Sequence, residues 1–482
     1  MGVKNLWSLL TPVSEKMPLW DLQGKAIAID LSGWVCDSEN CSQTTNQKNM
    51  YLRNLFFRTS TLLLIGAIPI FVLEGEVPIM KQVTIEKRVN GNNNEKSKKN
   101  NIVRKRLNLL QKQCERLLNI MGVTCVYSPG EAEQLCAILN KNGIVNGVVT
   151  QDSDCFLYGA RIIYRNFNAS RNGSVEVYSM ESIEKNLKIG RNKMIALSLL
   201  CGCDYDEKGV IGIGKETAIK FLQSLDDDIV LDRMRHWRNN LVLNAAEKDI
   251  KSQTNFLKLE LKIRKKAIEN QSFPSEAVID EFLIVPPYPE VTAKWVLPDI
   301  NSFVEFALSK LCWEKQYAIN KFLPLLTRWH LMHDDNLQAN ILLNKIIKKR
   351  VHKGIKSYEI KWNNYDLTTI EPLAAVQLRY SKEVLIYEDI DSKFSNKTKR
   401  KGMVYDTELI DVTNKLSSIK ISNKHINMRK KNEAIDKNKF KGPLDKFLVK
   451  EITKDDSLTL SDFECDSVDL DLSSIVNGII VP

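Results

Sequence analysis

Acidic residues in this chain stand where short apolar runs end. Asp30 follows AIAI (26–29), Glu74 follows IPIFVL (68–73), and Asp152 and Asp154 follow GVVT (147–150) in TQDSD. Glu131 and Glu133 open SPGEAEQLCAIL just after Pro129 and Gly130, and Asp204 closes LLCGCD. Taken singly, each acid is explained as a turn or cap residue, because Asp and Glu stabilise turns and helix N-termini. Gathered in one place, all seven would repel one another unless cations neutralised them. Carboxylate oxygens are hard ligands that suit Mg²⁺ or Mn²⁺. Two such ions about 3.5–4 Å apart can activate a water and stabilise a leaving oxygen in an in-line displacement. That chemistry asks for acids rather than imidazole, and the chain holds only 5 His.

Elements that would bring these acids together can be read from the apolar pattern. AIAI, IPIFVL and GVVT have the length and composition of buried strands. Helical stretches at 52–64 and 108–121 lie between them. Strands alternating with helices predict an α/β domain with a mostly parallel sheet, and such sheets bind ligands outside the carboxyl ends of their strands. VNGNNNEKSKKNN (89–101) is polar, basic and of low complexity, and is expected to be a mobile loop. From about 191 the pattern turns helical. GVIGIG (209–214) leads into a helix at 215–225, a charged helical stretch covers 240–272, and Pro286, Pro287 and Pro289 mark a boundary. Residues 341–390 hold the alternating strand SYEIKW and are expected to form a small separate module. Beyond 391 apolar content falls, and a basic stretch followed by an acidic one predicts a disordered tail.

The composition sets wide bounds. A chain of 482 residues, 43% of them apolar, is expected to form two or three domains. The net charge of +10, from 69 Lys and Arg against 59 Asp and Glu, suits a nucleic-acid partner without requiring one. The 10 cysteines are scattered, and Cys201 and Cys203 are too close for zinc-ligand spacing, so reduced thiols in an intracellular compartment are expected. No stretch of about 20 apolar residues predicts a membrane span, and MGVKNLWSLL does not read as a signal peptide.

MGVKNLW, AIDLSGW around Asp30, FVLEGEVP around Glu74, SPGEAEQLCA, TQDSDCFLYGA and LLCGCDYDEKGVIGIGKETA together resemble the flap endonuclease/XPG nuclease family, densely and in order from residue 1 to about 225. NLFFRTSTLL, IIYRNF and the small module after the helices make the chain most similar to the GEN branch, the Holliday junction resolvases. The resemblance implies a PIN-like nuclease core over 1–205, with an N-terminal part (1–90), a short mobile arch (89–101) in place of a threading arch, and an internal part (102–205). It implies a helix–two-turn–helix and helical DNA-binding region over 206–335. It also implies that Asp30, Glu74, Glu131, Glu133, Asp152, Asp154 and Asp204 hold two Mg²⁺ ions, with Mn²⁺ as an alternative. Lys81 and Arg88 match a basic pair over the scissile phosphate, where an ammonium and a planar guanidinium would bind its oxygens. Gly2, Gly212, Gly214 and Lys215 are expected to approach DNA, and the glycine-rich turn to bind K⁺ through carbonyl oxygens.

Residues 341–390 resemble a chromodomain. Trp362 and Tyr365 stand at two positions of the methyl-lysine cage, but Ile341 stands at the third, and Ile370 replaces a usual tryptophan. With Lys348, Lys349 and Arg350 nearby, a DNA-contacting module is the expectation. NKTKRK and NMRKK in the tail point to the nucleus. The function implied is metal-dependent hydrolysis of phosphodiester bonds in four-way junctions, 5′ flaps and forks, with a second copy joining on a four-way junction. The alternatives are a monomeric flap endonuclease or 5′ exonuclease, and a non-catalytic junction-binding scaffold.

Overall fold

The computed structural model describes residues 2–42, 49–76, 78, 81, 95–170, 173–238, 255–333, 341–352 and 354–392, with side chains of 37–42 and 95–107 left aside. Seven strands form the main sheet: β1 (Glu15–Pro18), β2 (Ala26–Asp30), β3 (Ile68–Leu73), β4 (Thr124–Tyr127), β5 (Gly147–Val149), β6 (Ile162–Asn168) and β7 (Ser174–Ser179). Their order is β1-β7-β6-β5-β2-β3-β4. From β6 to β4 all neighbours run parallel, while β7 and β1 close one edge antiparallel. β2 and β3 are buried along nearly their whole length, as expected of parallel strands covered by helices on both faces. The chain leaves β2 toward β3 and β4, then returns to the other side of β2 as β5. The strand order therefore reverses between β2 and β5, where an open parallel sheet offers a crevice at its carboxyl ends.

The strands and helices expected from the apolar pattern are present, with changed limits. The first long helix spans Met50–Ile65 and stops at Gly66, whose φ of 88° suits a glycine C-cap. The larger change concerns the expected arch. Glu95–Ile120 is one helix, so 95–101 belongs to it, while 89–94 lies outside the described residues. Glu, Lys and Arg are good helix formers, and the run EKSKKNNIVRKRL propagates a helix that low complexity had disguised. In the expected charged helix at 240–272, Asn255–Ala267 is helical, whereas 239–254 lies outside the described residues.

One hydrophobic core runs from Val3 and Leu6 through Leu135, Phe156 and Leu200 to Phe221, Trp237 and Phe282. It crosses residue 205 without a break, so the nuclease part and the helices after it fold around shared apolar contacts rather than as two cores. Two compact units divide the described residues, the first ending at Trp329 and the second starting at His330. The second contains an antiparallel sheet of β8 (Leu343–His352), β9 (Ile355–Trp362) and β10 (Tyr365–Pro372), followed by a helix at Leu373–Arg379. Gly354, with φ of 79°, supplies the tight turn between β8 and β9. The eight cysteines whose side chains are described are free thiols. No helix among the described residues is long and apolar enough to cross a membrane.

Candidate metal centre

The sheet and three helix starts deliver acids to the carboxyl end of β2. Asp30 is the last residue of β2, and a helix begins directly after it at Leu31. The Ser32 backbone amide and hydroxyl donate to Asp30 Oδ1 at 3.0 and 2.6 Å. The same hydroxyl lies 2.9 Å from Glu74 Oε1. Glu74 extends from the end of β3, and its Oε2 accepts the Ala132 amide at 2.9 Å. Ala132 is the first residue of the helix Ala132–Lys141, so Glu74 meets the positive end of that helix. Burial, then the charges of Asp30 and Glu131, push Glu74 up to about 7. Burial likewise pushes Asp30 up, against the pull of its Ser32 hydrogen bonds.

Glu133, Asp152 and Asp154 form the tightest group, each offering an oxygen within 4.8 Å of the others. Their residues are 3%, 2% and 1% exposed. Glu133 Oε1, Asp152 Oδ2 and Asp154 Oδ1 are buried with no hydrogen-bond partner among the described residues. Burial and then Asp152 push Glu133 well above the carboxylate range, and the same pair of causes acts on Asp154. Asp152 is pushed up to about 6, chiefly by burial. Unpaired buried carboxylate oxygens are costly, and a hard cation is what satisfies a group of them. An all-oxygen donor set fits hard divalent cations such as magnesium or manganese better than zinc, which favours thiolate and imidazole. Capping accounts for one oxygen of Asp30, Glu74 and Asp152 but not for the unpartnered ones, nor for Glu131. Glu131 stands at the N-cap of its helix, yet its side chain makes no cap hydrogen bond.

Lys81 is drawn into the same cluster. Its Nζ pairs with Glu131 Oε1 and lies 4.0 Å from Asp204 Oδ2. Burial alone would lower its pKa, but Glu131, Glu133 and Asp204 together hold it well above the usual lysine range. A solvated lysine on a helix face is thereby ruled out. Arg88 lies outside the described residues.

Gly2 is fixed by its backbone. Its amide reaches Asp204 Oδ2 at 3.4 Å, and the next amide, of Val3, donates to Ser153 Oγ at 3.2 Å. With φ of 88° and Asp152, Ser153 and Asp154 crowding the place of a Cβ, no side chain fits at position 2. The N-terminal segment is held there by Lys4, whose Nζ donates to the Glu207 carbonyl at 2.5 Å, and by Lys215, whose Nζ donates to Ser8 Oγ at 2.9 Å. The structure thus brings the seven acids, Lys81 and Gly2 into one neighbourhood.

At the glycine-rich turn, Gly214 stands at the N-cap of the helix Lys215–Leu222 with open space where a Cβ would go. Gly212, with φ of 78°, has its carbonyl bound by Lys266 Nζ at 2.9 Å. One turn carbonyl expected to be open to a potassium ion therefore already faces an ammonium. In the second unit, Trp362 is fully buried and its Nε1 donates to Thr369 Oγ1 at 2.8 Å. It is a core residue and cannot wall a methyl-lysine cage. Lys348 and Arg350 both pair with Glu359, at 3.8 and 2.6 Å, and Lys349 pairs with Glu388 and Asp391 at 3.6 and 3.4 Å. These three cations are less free for a phosphate than their sequence suggests.

Sequence reasoning passed over Ser32, Ser153, Tyr205 and Lys266. Ser32 had a usable signal, because a serine two residues after an aspartate commonly donates back to it. Tyr205 and Lys266 act on partners 74 and 54 residues away, which spacing alone does not reveal.

Comparisons with known proteins show to which family the chain belongs. The XPG N-terminal domain matches residues 1–95 and the XPG I-region residues 122–204. The flap endonuclease GEN of Drosophila melanogaster is 33% identical over all of this chain and 79% of its own length. Flap endonuclease GEN homolog 1 of Homo sapiens is 31% identical, over 80% of this chain and 50% of its own length. Human GEN1, solved in complex with Holliday junction DNA, superposes with a TM-score of 0.70 at 31% identity, covering 82% of this chain and 100% of that one. The catalytic core of Rad2 with a DNA substrate reaches 0.54 at 29% identity over 67% of this chain and 100% of that one. A mostly parallel sheet carrying buried acids at its carboxyl end, with relatives matched over its full length, makes this chain a member of the XPG nuclease family and of its GEN flap-endonuclease branch.

Proposed function

We propose that this chain is a structure-selective DNA endonuclease that hydrolyses phosphodiester bonds in four-way junctions, 5′ flaps and replication forks. The observation that carries this is the buried trio Glu133, Asp152 and Asp154, each with one carboxylate oxygen that has no hydrogen-bond partner among the described residues, and each offering an oxygen within 4.8 Å of the others. Human GEN1, its solved relative, is bound to a Holliday junction, which supports a branched substrate here. Divalent cations held by Asp30, Glu74, Glu131, Glu133, Asp152, Asp154 and Asp204 would make a water nucleophilic and take up charge on the leaving oxygen.

The chain's own residues do the rest. Glu74 and Asp30 are held by Ser32 and by the start of the 132–141 helix, so little reorganisation is needed when charge develops. Lys81, on exchanging Glu131 for a phosphoryl oxygen, would place a positive charge on the scissile group. Gly2 keeps the backbone of the N-terminus close to the acids without a side chain in the way. The turn at Gly212 and Gly214, with Lys215 at the helix start, would hold uncut duplex through its phosphates, giving a steep salt dependence without base reading. A potassium ion at this turn would have to displace Lys266 from the Gly212 carbonyl.

Two opposed nicks in a four-way junction require two copies on one DNA. The basic runs of the tail, outside the described residues, would direct the chain to the nucleus. The second reading, a monomeric flap endonuclease, shares every acid. A panel of matched flap, fork and four-way DNA separates the two readings. Paired symmetric nicks in an intact cruciform are the expected result, and cutting only where a 5′ end exists would favour the second reading. Asp30→Asn should abolish cutting while leaving junction binding in place, and unchanged cleavage by that variant would refute the site.

A further inference from the structure

We propose that Tyr205, backed by Tyr158 and Glu281, is a positioning residue that sets how tightly the acid cluster holds a divalent cation. The inference rests on the cation-binding reading above and extends the cluster into the helical region after it. Both oxygens of Glu131 are engaged: Oε1 pairs with Lys81, and Oε2 accepts from the Tyr205 hydroxyl at 2.6 Å. A phenol carries a single proton, and that of Tyr205 is directed at Glu131. The 2.5 Å contact between the Tyr205 and Tyr158 hydroxyls is then a donation from Tyr158. Glu281 Oε1 lies 3.3 Å from the Tyr158 hydroxyl and 3.5 Å from that of Tyr205, so the single Tyr158 proton is shared between Tyr205 and Glu281 at the far end of the chain.

The rings hold this geometry. Tyr158 and Tyr205 are 3% and 6% exposed, and Phe282 packs against both, with centroids 5.1 and 5.5 Å away. Glu281 and Phe282 belong to the helix Glu276–Leu283, well outside the 1–205 stretch that carries the other acids. A ligand whose carboxylate is hydrogen-bonded from behind keeps its orientation and basicity, and such supports commonly govern metal affinity as strongly as some ligands do. Without the Tyr205 hydroxyl, Glu131 Oε2 would lose its anchor, and the carboxylate would turn toward Lys81 rather than toward a cation.

The test is to titrate MgCl₂ into the full-length protein without DNA, reading heat and melting temperature, for wild type, Tyr205→Phe and Glu281→Gln. Tyr205→Phe keeps the ring and removes one hydroxyl. It should weaken Mg²⁺ binding roughly tenfold and raise the Mg²⁺ needed for half-maximal cleavage by the same factor, with kcat recovered at saturating Mg²⁺. Glu281→Gln should shift both in the same direction by less, and it carries the test should Tyr205→Phe fold poorly. Mg²⁺ affinities equal to wild type in both variants would overturn the proposal. Wild-type protein that takes up no Mg²⁺ would instead overturn the cation-binding reading beneath it.

Discussion

Two charged regions of this molecule differ in how they are satisfied. At the end of β2, like charges are packed together, buried, and left with unpartnered oxygens on Glu133, Asp152 and Asp154. On β8, Lys348, Lys349 and Arg350 stand in solvent with Glu359, Glu388 and Asp391 as partners. In sequence both looked like ligand sites, one for cations and one for DNA. The structure separates them by balance rather than by number of charges. A surface pair of opposite sign is nearly self-sufficient and contributes little. A buried group of one sign is costly until something from outside completes it.

Substitutions can break or sharpen this contrast. After Asp30→Asn, the largest effect is expected from Asp154→Asn, which should cut cleavage by roughly 10²–10³, the range lost when one element of a preorganised charge-stabilising site is removed. A single-turnover assay at saturating DNA reads it, and a loss below tenfold would break the contrast. Gly2→Ala comes next, at about 100-fold, because a methyl group there meets Asp152 and Asp154 and displaces them. Its circular dichroism should match that of wild type. Ser32→Ala removes the hydroxyl shared by Asp30 and Glu74 and should weaken Mg²⁺ binding about tenfold with only a small change in DNA affinity. Lys348→Ala marks the other end of the scale, with stability altered by about 0.5 kcal/mol or less and junction affinity close to wild type. A strong loss of DNA binding in that variant would show that β8 contacts DNA despite its internal pairs.

The acids also set a pH dependence with a defined sign. Glu74 and Asp152 are pushed up to about 7 and about 6, from ordinary values of 4.5 and 3.8. Acids with raised values bind more protons in the folded state than in the unfolded one, so their contribution to stability is greatest at low pH and is lost as pH rises through those values. In excess chelator the melting temperature should therefore climb as pH falls from about 7 to about 5. Saturating Mg²⁺ should flatten that slope. A chelated protein whose melting temperature is level or falling over this range would contradict the buried, like-charged cluster.

Much of this site was legible in the sequence because strand ends are. Asp30, Glu74 and Asp152 follow apolar runs, and the crevice rule for parallel sheets sends them to one side. The β6–β7 hairpin and short β4 were not legible, since IIYRNFN, SVEVYS and TCVY mix polar residues among the apolar ones and do not stand out as continuous apolar runs. Within the expected arch, 95–101 reads as loop because Asn- and Lys-rich composition looks like one, although Lys and Glu extend a helix that is already nucleated. Trp362 shows the limit of motif reading. It stands at an aromatic-cage position, yet lies wholly inside the core. Partnerships such as Tyr205 with Glu131 or Lys266 with Gly212 join residues far apart in the chain, and only the folded backbone brings them within reach.

The most direct test is to titrate Mn²⁺ or Mg²⁺ calorimetrically into wild-type protein and Glu133→Gln, and to measure cleavage of a four-way junction in excess chelator alongside. Saturable binding by wild type, strongly weakened in Glu133→Gln, together with no cleavage under chelation, is the predicted result. Equal cation binding by the two proteins, or undiminished cleavage with every divalent ion removed, would contradict it.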